Sequence, residues 1–146
     1  MTTAALTPYL TVVDAHAALD FYTGVFGAEE TGPRLTSPDG GILHTELRLG
    51  DTAFMLAEHQ PDYGTQDPHG LGGTPVRLAL HVENADATVG RAVERGAEVI
   101  IPVDDQFYGH RAGRIQDPFG HVWIVSHQLE ELSAKEMQRR FDDAFN

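Results

Sequence analysis

His44 and Glu46 stand two apart in the stretch ILHTELRLG, where apolar and polar residues alternate strictly. Alternate residues of a strand share one face, so an imidazole and a carboxylate are brought to the same side. Such a pair can act as general base and orienter or supply two ligands to a divalent ion. It can also form a polar strand face that holds solvent, substrate or a partner. His81 follows Arg77 by four residues and shares its face. If His44 and Glu46 face the same cavity, His81 would complete a His-Glu-His set. An inward Arg77 requires an anion, from a ligand carboxylate or from a protein one such as Glu46. Asp105 to Arg111 reads DQFYGHR. There Phe107 and Tyr108 can stack on a flat ligand and Arg111 can clamp an anion, or the aromatics anchor the loop to the domain.

Composition narrows the chemistry. The chain of 146 residues has no cysteine, so disulfides, thiolate nucleophiles and thiolate metal sites are excluded together. Any metal would need histidine and carboxylate ligands. Ten basic against 22 acidic residues leave a net charge of −12, which repels phosphate backbones and argues against nucleic-acid binding. The acidity serves solubility and also suits a cationic small molecule. No apolar run is long enough to span a membrane and no signal peptide is evident, so a cytoplasmic protein is expected. GLGGTP, Gly70 to Pro75, lacks the lysine and the strand-to-helix setting of a phosphate loop.

The elements that must position these residues repeat. PYLTVVDAHAALDFYTGVFGAEE, from Pro8, and RLALHVENADATVGRAVERGAEV, from Arg77, each run strand, polar cap, helix and Gly-Ala-Glu. Aligning Gly27 with Gly96 gives an offset of 69 residues, which also sets Val13 on Val82, Asp14 on Glu83, and Phe54-Met55 on Trp123-Ile124 without a gap. That register predicts an internal duplication. Asp14 and Asn84 can cap the two helices, and Gly27 and Gly96 can end them. Ala18, Tyr22 and Val25 fall on one face of the first helix, and Val89, Ala92 and Val93 on one face of the second. In the first half ILHTELRLG should bury Leu43, Thr45, Leu47 and Leu49, and TAFMLA follows after a Gly50-Asp51 turn. EVIIPV, RAGRIQ and HVWIVSH hold the matching places in the second half, with Asp117 to Gly120 as the last turn. Phe21, Tyr22, Phe26 and Trp123 are expected in the core, and His121 as a turn residue. Each module therefore reads βαβββ. His59 to Pro75 reads as a linker rich in Gly and Pro. After it, Ser133-x-x-Glu136 opens a C-terminal helix whose Met137, Phe141 and Phe145 form a stripe that docks on this subunit or on a partner.

Paired βαβββ modules in a chain of this length resemble the vicinal oxygen chelate (glyoxalase/bleomycin resistance/dioxygenase) superfamily, and the quoted stretches, with HTELRLGDTAFMLAEH and DQFYGHRAGRIQDPFGHVW, resemble its PhnB-like branch. The resemblance implies an α+β fold: two tandem βαβββ modules forming a curled mixed sheet around a cavity, plus a C-terminal helix. It implies one domain over residues 1–146, with modules at about 7–58 and 76–128, a linker at 59–75 and a helix at 133–145. It also implies a homodimer. Metal enzymes of the superfamily take a His or Gln from the first strand and a Glu from the last strand of each module. At those places this chain has Pro8, Met55, Arg77 and Ile124. The usual metal site is therefore expected to be absent, and with it any cofactor. The expected function is small-molecule binding, with drug or metabolite sequestration as in bleomycin resistance, through Met55, Arg77, His81, Phe107, Tyr108, Arg111 and Ile124. The alternative is a glyoxalase-type lyase, isomerase or dioxygenase that uses a displaced divalent metal or an acid-base pair, with His44, Glu46 and His81 as catalytic residues.

Overall fold

The structure, a computed structural model, describes residues 4–146. The chain divides into two compact units, the first running to Pro75 and taking in Phe119–His121, the second formed by Val76–Pro118 and Val122–Asn146. The first unit contains β1 (Tyr9–Val12), α1 (Ala15–Phe26), two short strands β2 (Glu29–Glu30) and β3 (Leu35–Thr36), then β4 (Ile42–Leu49) and β5 (Thr52–Glu58). Its sheet runs β1-β5-β4-β2, with β3 also paired to β4. The second contains β6 (Arg77–His81), α3 (Ala85–Glu94), β7 (Glu98–Asp105), β8 (His110–Gln116), β9 (Val122–Gln128) and α4 (Ala134–Phe145), with strand order β6-β9-β8-β7. In both sheets the first strand pairs in parallel with the last and the remaining pairs are antiparallel. Both modules are therefore of βαβββ type, the first with two short strands, β2 and β3, where the second has β7, and both sheets are mixed.

The two helix starts are built alike. The Asp14 carboxylate accepts from Ala17 N at 3.0 Å, and the Asn84 amide oxygen accepts from Ala87 N at 3.1 Å. A residue from the last strand satisfies a further free N–H in each: Glu58 Oε1 accepts from Ala15 N at 3.3 Å, and His127 Nδ1 from Ala85 N at 2.9 Å. These anchors correct the register of the repeat. The caps Asp14 and Asn84 correspond, so the offset at the helix starts is one residue larger than the one relating Glu58 to His127. The stretch from Asp14 to the left-handed Gly27 is one residue longer than that from Asn84 to Gly96, so the gap lies inside the helices. Asp14 therefore matches Asn84 rather than Glu83, and Pro8 matches Leu78 rather than Arg77.

Packing follows the expected periods, except that Leu49 and Phe26 are only half-buried and Val93 and Leu43 are exposed. α1 buries Ala18, Tyr22 and Val25, and Tyr22 packs edge-on against Phe54 at 5.5 Å. On α3 Ala85, Thr88, Val89 and Ala92 are buried, whereas Val93 is 46% exposed. Val93 lies about 80° around the helix from Ala85, at the rim of the stripe. In β4 Ile42, Thr45 and Leu47 are buried while Leu43 is exposed, because pairing with β3 slips between Leu35 and Thr36 and the bulge turns one residue over.

The stretch His59 to Pro75 is not a bare linker. It contains a 3-10 turn at Pro61–Tyr63 and the short helix α2 (Pro68–Leu71). Buried Asp67 caps α2 through His69 N and lies 3.2 Å from His59 Nδ1. At the other end of the chain, the α4 stripe meets its own unit: Phe107 packs against Phe141 at 5.6 Å and Phe145 at 6.1 Å. Ser133 Oγ caps α4 by accepting from Glu136 N, and Glu136 pairs with Arg139 and Arg140. Hydrogen bonds to Arg139, then to Arg140, hold the Glu136 carboxyl down at about 2. A depressed carboxyl stabilises above its ordinary pKa of 4.5 and loses that contribution as pH falls toward about 2. The Glu136 side-chain carboxyl should therefore titrate near pH 2 by NMR. The same experiment on Arg139→Gln/Arg140→Gln protein should return it to the ordinary range.

Candidate functional site

Each sheet has a helix-covered face and an opposite, open face, and the open faces hold the candidate residues. In the first unit Tyr9 lies beside Met55, and Met55 beside Glu46, across β1, β5 and β4. His44 stands on the same face two residues before Glu46. Among the described residues no hydrogen bond joins the His44 and Glu46 side chains. The partner at His44 is instead the Tyr9 hydroxyl, 2.7 Å from Nδ1, with the two rings edge to face at 5.5 Å. Burial raises the Tyr9 pKa above that of a free phenol. A hydroxyl that donates to Nδ1 would hold the His44 proton on Nε2. Sequence reasoning chose Glu46 as the orienter and passed over Tyr9, which reaches across a strand and so leaves no spacing signature.

In the second unit Ala79 lies beside Ile124, and Ile124 beside Arg114. A pocket of about 190 Å³ opens on this face, lined by Ile101, Gln106, Tyr108, Ala112, Gly113, Arg114 and Ile124. Among the described residues no carboxylate lines it. The Arg114 Nε is buried without a hydrogen-bond partner among the described residues. Leaving a buried donor unsatisfied costs about 1–3 kcal/mol, and more for a charged group. Gln106 is held at the pocket rim by its amide nitrogen, which donates to the carbonyls of Asp104 and Ala112, each at 3.2 Å. His81 shares this face and packs against His110 at 5.5 Å, which in turn meets the Tyr108 ring at 5.7 Å.

The remaining expected contacts sort by strand parity. Tyr108 and Ile124 line the pocket, and Arg77 and His81 stand on its face. Arg111 has the opposite parity on β8. Its guanidinium is taken up by Asp86 at 2.7 Å and Asp105 at 2.8 Å, so it ties α3 to the β7–β8 hairpin. Those hydrogen bonds raise the Arg111 pKa and lower that of Asp86. Phe107 is spent on α4. Met55, His44 and Glu46 belong to the first unit, whereas His81 belongs to the second. Trp123 is core, its indole donating to Asp117 at 2.9 Å. Sequence reading missed Arg114, His110 and Gln106. Alternation along RAGRIQ was the available signal, since it sets Arg114 on the face opposite Arg111.

The donor set does not fit a divalent ion. With the register corrected, Tyr9 rather than Pro8 faces Met55, and Ala79 rather than Arg77 faces Ile124. On the open faces of these four strands only His81 is a common metal ligand. Among the described residues no group of three or more His, Cys, Asp or Glu is placed to hold a metal.

Two mixed βαβββ sheets with an open-faced pocket define a protein of the vicinal oxygen chelate fold. The Glyoxalase/Bleomycin resistance protein/Dioxygenase superfamily profile matches residues 3–125, and the chain belongs to that superfamily. It is 40% identical over 137 residues to the uncharacterized protein Rv0887c of Mycobacterium tuberculosis, covering 92% of this chain and 80% of that one. It is 31% identical over 118 residues to the anthracycline biosynthesis protein DnrV of Streptomyces peucetius, covering 77% of this chain and 42% of that protein. Among solved structures, the gene product At5g48480 of Arabidopsis thaliana superposes with a TM-score of 0.67 at 26% identity, over 86% of this chain and 99% of that one. Among the described residues no helix is long and apolar enough to cross a membrane.

Proposed function

We propose that this chain is a small-molecule-binding protein that holds its ligand on the open face of the second sheet without a resident metal. In this reading it sequesters a drug or metabolite and acts as a cytoplasmic homodimer of the PhnB-like kind. The observation that carries the reading is the pocket around Ile124 and Arg114, where an aliphatic side chain occupies the place the resemblance assigns to a ligating glutamate. Its volume falls below the ~300–1,000 Å³ of drug-sized sites, which suits a ligand of one ring rather than several. The Ile101, Tyr108 and Ile124 lining supports a small aromatic molecule as the class to test first. Protein made without a histidine tag and stripped with chelator should still show ligand-induced rises in melting temperature across an aromatic fragment panel. A stoichiometric divalent ion, required for binding and lost in His81→Ala, would end this reading.

One observation favours an acid-base enzyme as a second reading: the short Tyr9–His44 hydrogen bond, which fixes the imidazole and presents Nε2 on the open face of the first sheet. Such a chain would exchange the α-proton of a carbonyl compound for deuterium. His44→Gln should then abolish the exchange, and Tyr9→Phe should shift the pH profile and slow exchange by about tenfold to a hundredfold. Exchange at wild-type rates in His44→Gln would exclude this site.

A further inference from the structure

The pocket on the second sheet says more about its ligand than its size. We infer that it takes a flat apolar molecule bearing a single carboxylate, with Arg114 as the residue that selects it; the inference rests on the small-molecule reading above.

Among the described residues, four arginines are held in ion pairs, and Arg114 alone has a buried side-chain nitrogen without an acceptor. Arg34 pairs with Glu30, Arg111 with Asp86 and Asp105, Arg139 with Glu136 and Asp143, and Arg140 with Glu130 and Glu136. With 22 acidic residues against ten basic ones, carboxylates are plentiful. Yet among the described residues none pairs with Arg114, and its Nε is buried without an acceptor. Arg114 also lines a pocket that holds no carboxylate, and a guanidinium there can meet two ligand oxygens in its own plane. The net charge of −12 had suited a cationic guest, but the groups lining this pocket set the opposite local preference.

The rest of the lining describes the ligand's body. Ile101 and Ile124 supply apolar walls, and Ala112 leaves the floor low. The Tyr108 hydroxyl makes no hydrogen bond among the described residues and is a second donor. One planar fork and one hydroxyl match the two coplanar oxygens of a carboxylate. A phosphonate would bring a third oxygen and a second charge, for which the lining offers no further cation.

The test uses the whole chain, labelled with nitrogen-15, and three probes of equal ring size: benzoate, benzamide and phenylphosphonate. Benzoate should shift the Arg114 Nε–H resonance and the Tyr108 and Ile124 signals, and should bind at least about tenfold more tightly than benzamide. Arg114→Gln should weaken benzoate by about 10- to 100-fold and benzamide by about threefold or less, with Arg114→Lys between, since lysine keeps the charge and loses the fork. If Arg114→Gln does not fold, the wild-type benzoate-to-benzamide ratio and the Nε–H shift decide. Equal binding of benzoate and benzamide in wild-type protein would overturn the inference and leave the small-molecule reading intact. Tighter binding of phenylphosphonate than benzoate would overturn the assignment to carboxylates. If none of the three perturbs the pocket up to its solubility limit, the inference and the reading beneath it both fall.

Discussion

Ile124→Glu protein is expected to lose small-molecule binding on the second sheet while keeping its fold. Ile124 and Arg114 are directly opposed across β9 and β8. Side chains so placed have Cβ atoms about 4.5–5.5 Å apart, within reach of an ion pair. A glutamate there would supply the acceptor that Arg114 lacks and would narrow the pocket from within. An anionic ligand would then have to displace a tethered carboxylate and approach a second negative charge, which should weaken it by about 100-fold or more. Ile124 is only half-buried, so the change in stability should stay within about 1 kcal/mol. Calorimetric titration with benzoate, run beside thermal melting, reads both quantities. Wild-type affinity in the variant would move the ligand site off this face.

Tyr22→Ala is expected to be the most damaging single truncation in the first unit. Tyr22 is fully buried on α1 and packs against Phe26 at 5.9 Å, Phe54 at 5.5 Å and Phe119 at 6.1 Å. It therefore joins the helix, β5 and the Phe119–His121 turn into one aromatic cluster. Removing a buried aromatic ring costs about 3–5 kcal/mol, partly as lost transfer free energy and partly as a cavity. That is a large share of the ~5–15 kcal/mol that holds a domain of this size together. Urea denaturation should show the midpoint drop, with the slope preserved if the variant still unfolds in one step. Tyr22→Phe should recover most of the loss. A Tyr22→Ala midpoint equal to wild type would mean that the cluster does not anchor the turn.

The fold class was legible because it is written in periodicities. Two βαβββ runs, the caps Asp14 and Asn84, and the closing glycines Gly27 and Gly96 all depend on neighbours within a few residues along the chain. The register of the repeat was not legible to one residue. The Gly-Ala-Glu motifs and the last strands align without a gap, and nothing in the letters shows that the stretch from Asn84 to Gly96 is one residue shorter than that from Asp14 to Gly27. Backbone pairing of β1 with β5 and of β6 with β9 decides it, since a strand's face changes with every single-residue slip. Tyr9 and Ala79 are no better suited to hold a divalent ion than Pro8 and Arg77.

The candidate site divides along the same line. Residue types and strand alternation put His44 with Glu46, and Met55 and Ile124 on open faces, from the sequence onward. Contacts that cross strands had to come from the folded chain: Tyr9 on His44, His110 on His81, Asp86 and Asp105 around Arg111. Two arginines three residues apart on β8 show why. Arg111 and Arg114 have the same chemistry and differ in parity, so one meets helix α3 and two carboxylates while the other faces a pocket with neither. Local sequence sets what a side chain can do. Which of these arginines is left free to do it depends on acceptors brought near by strand pairing and helix packing, and those come from residues distant in the chain.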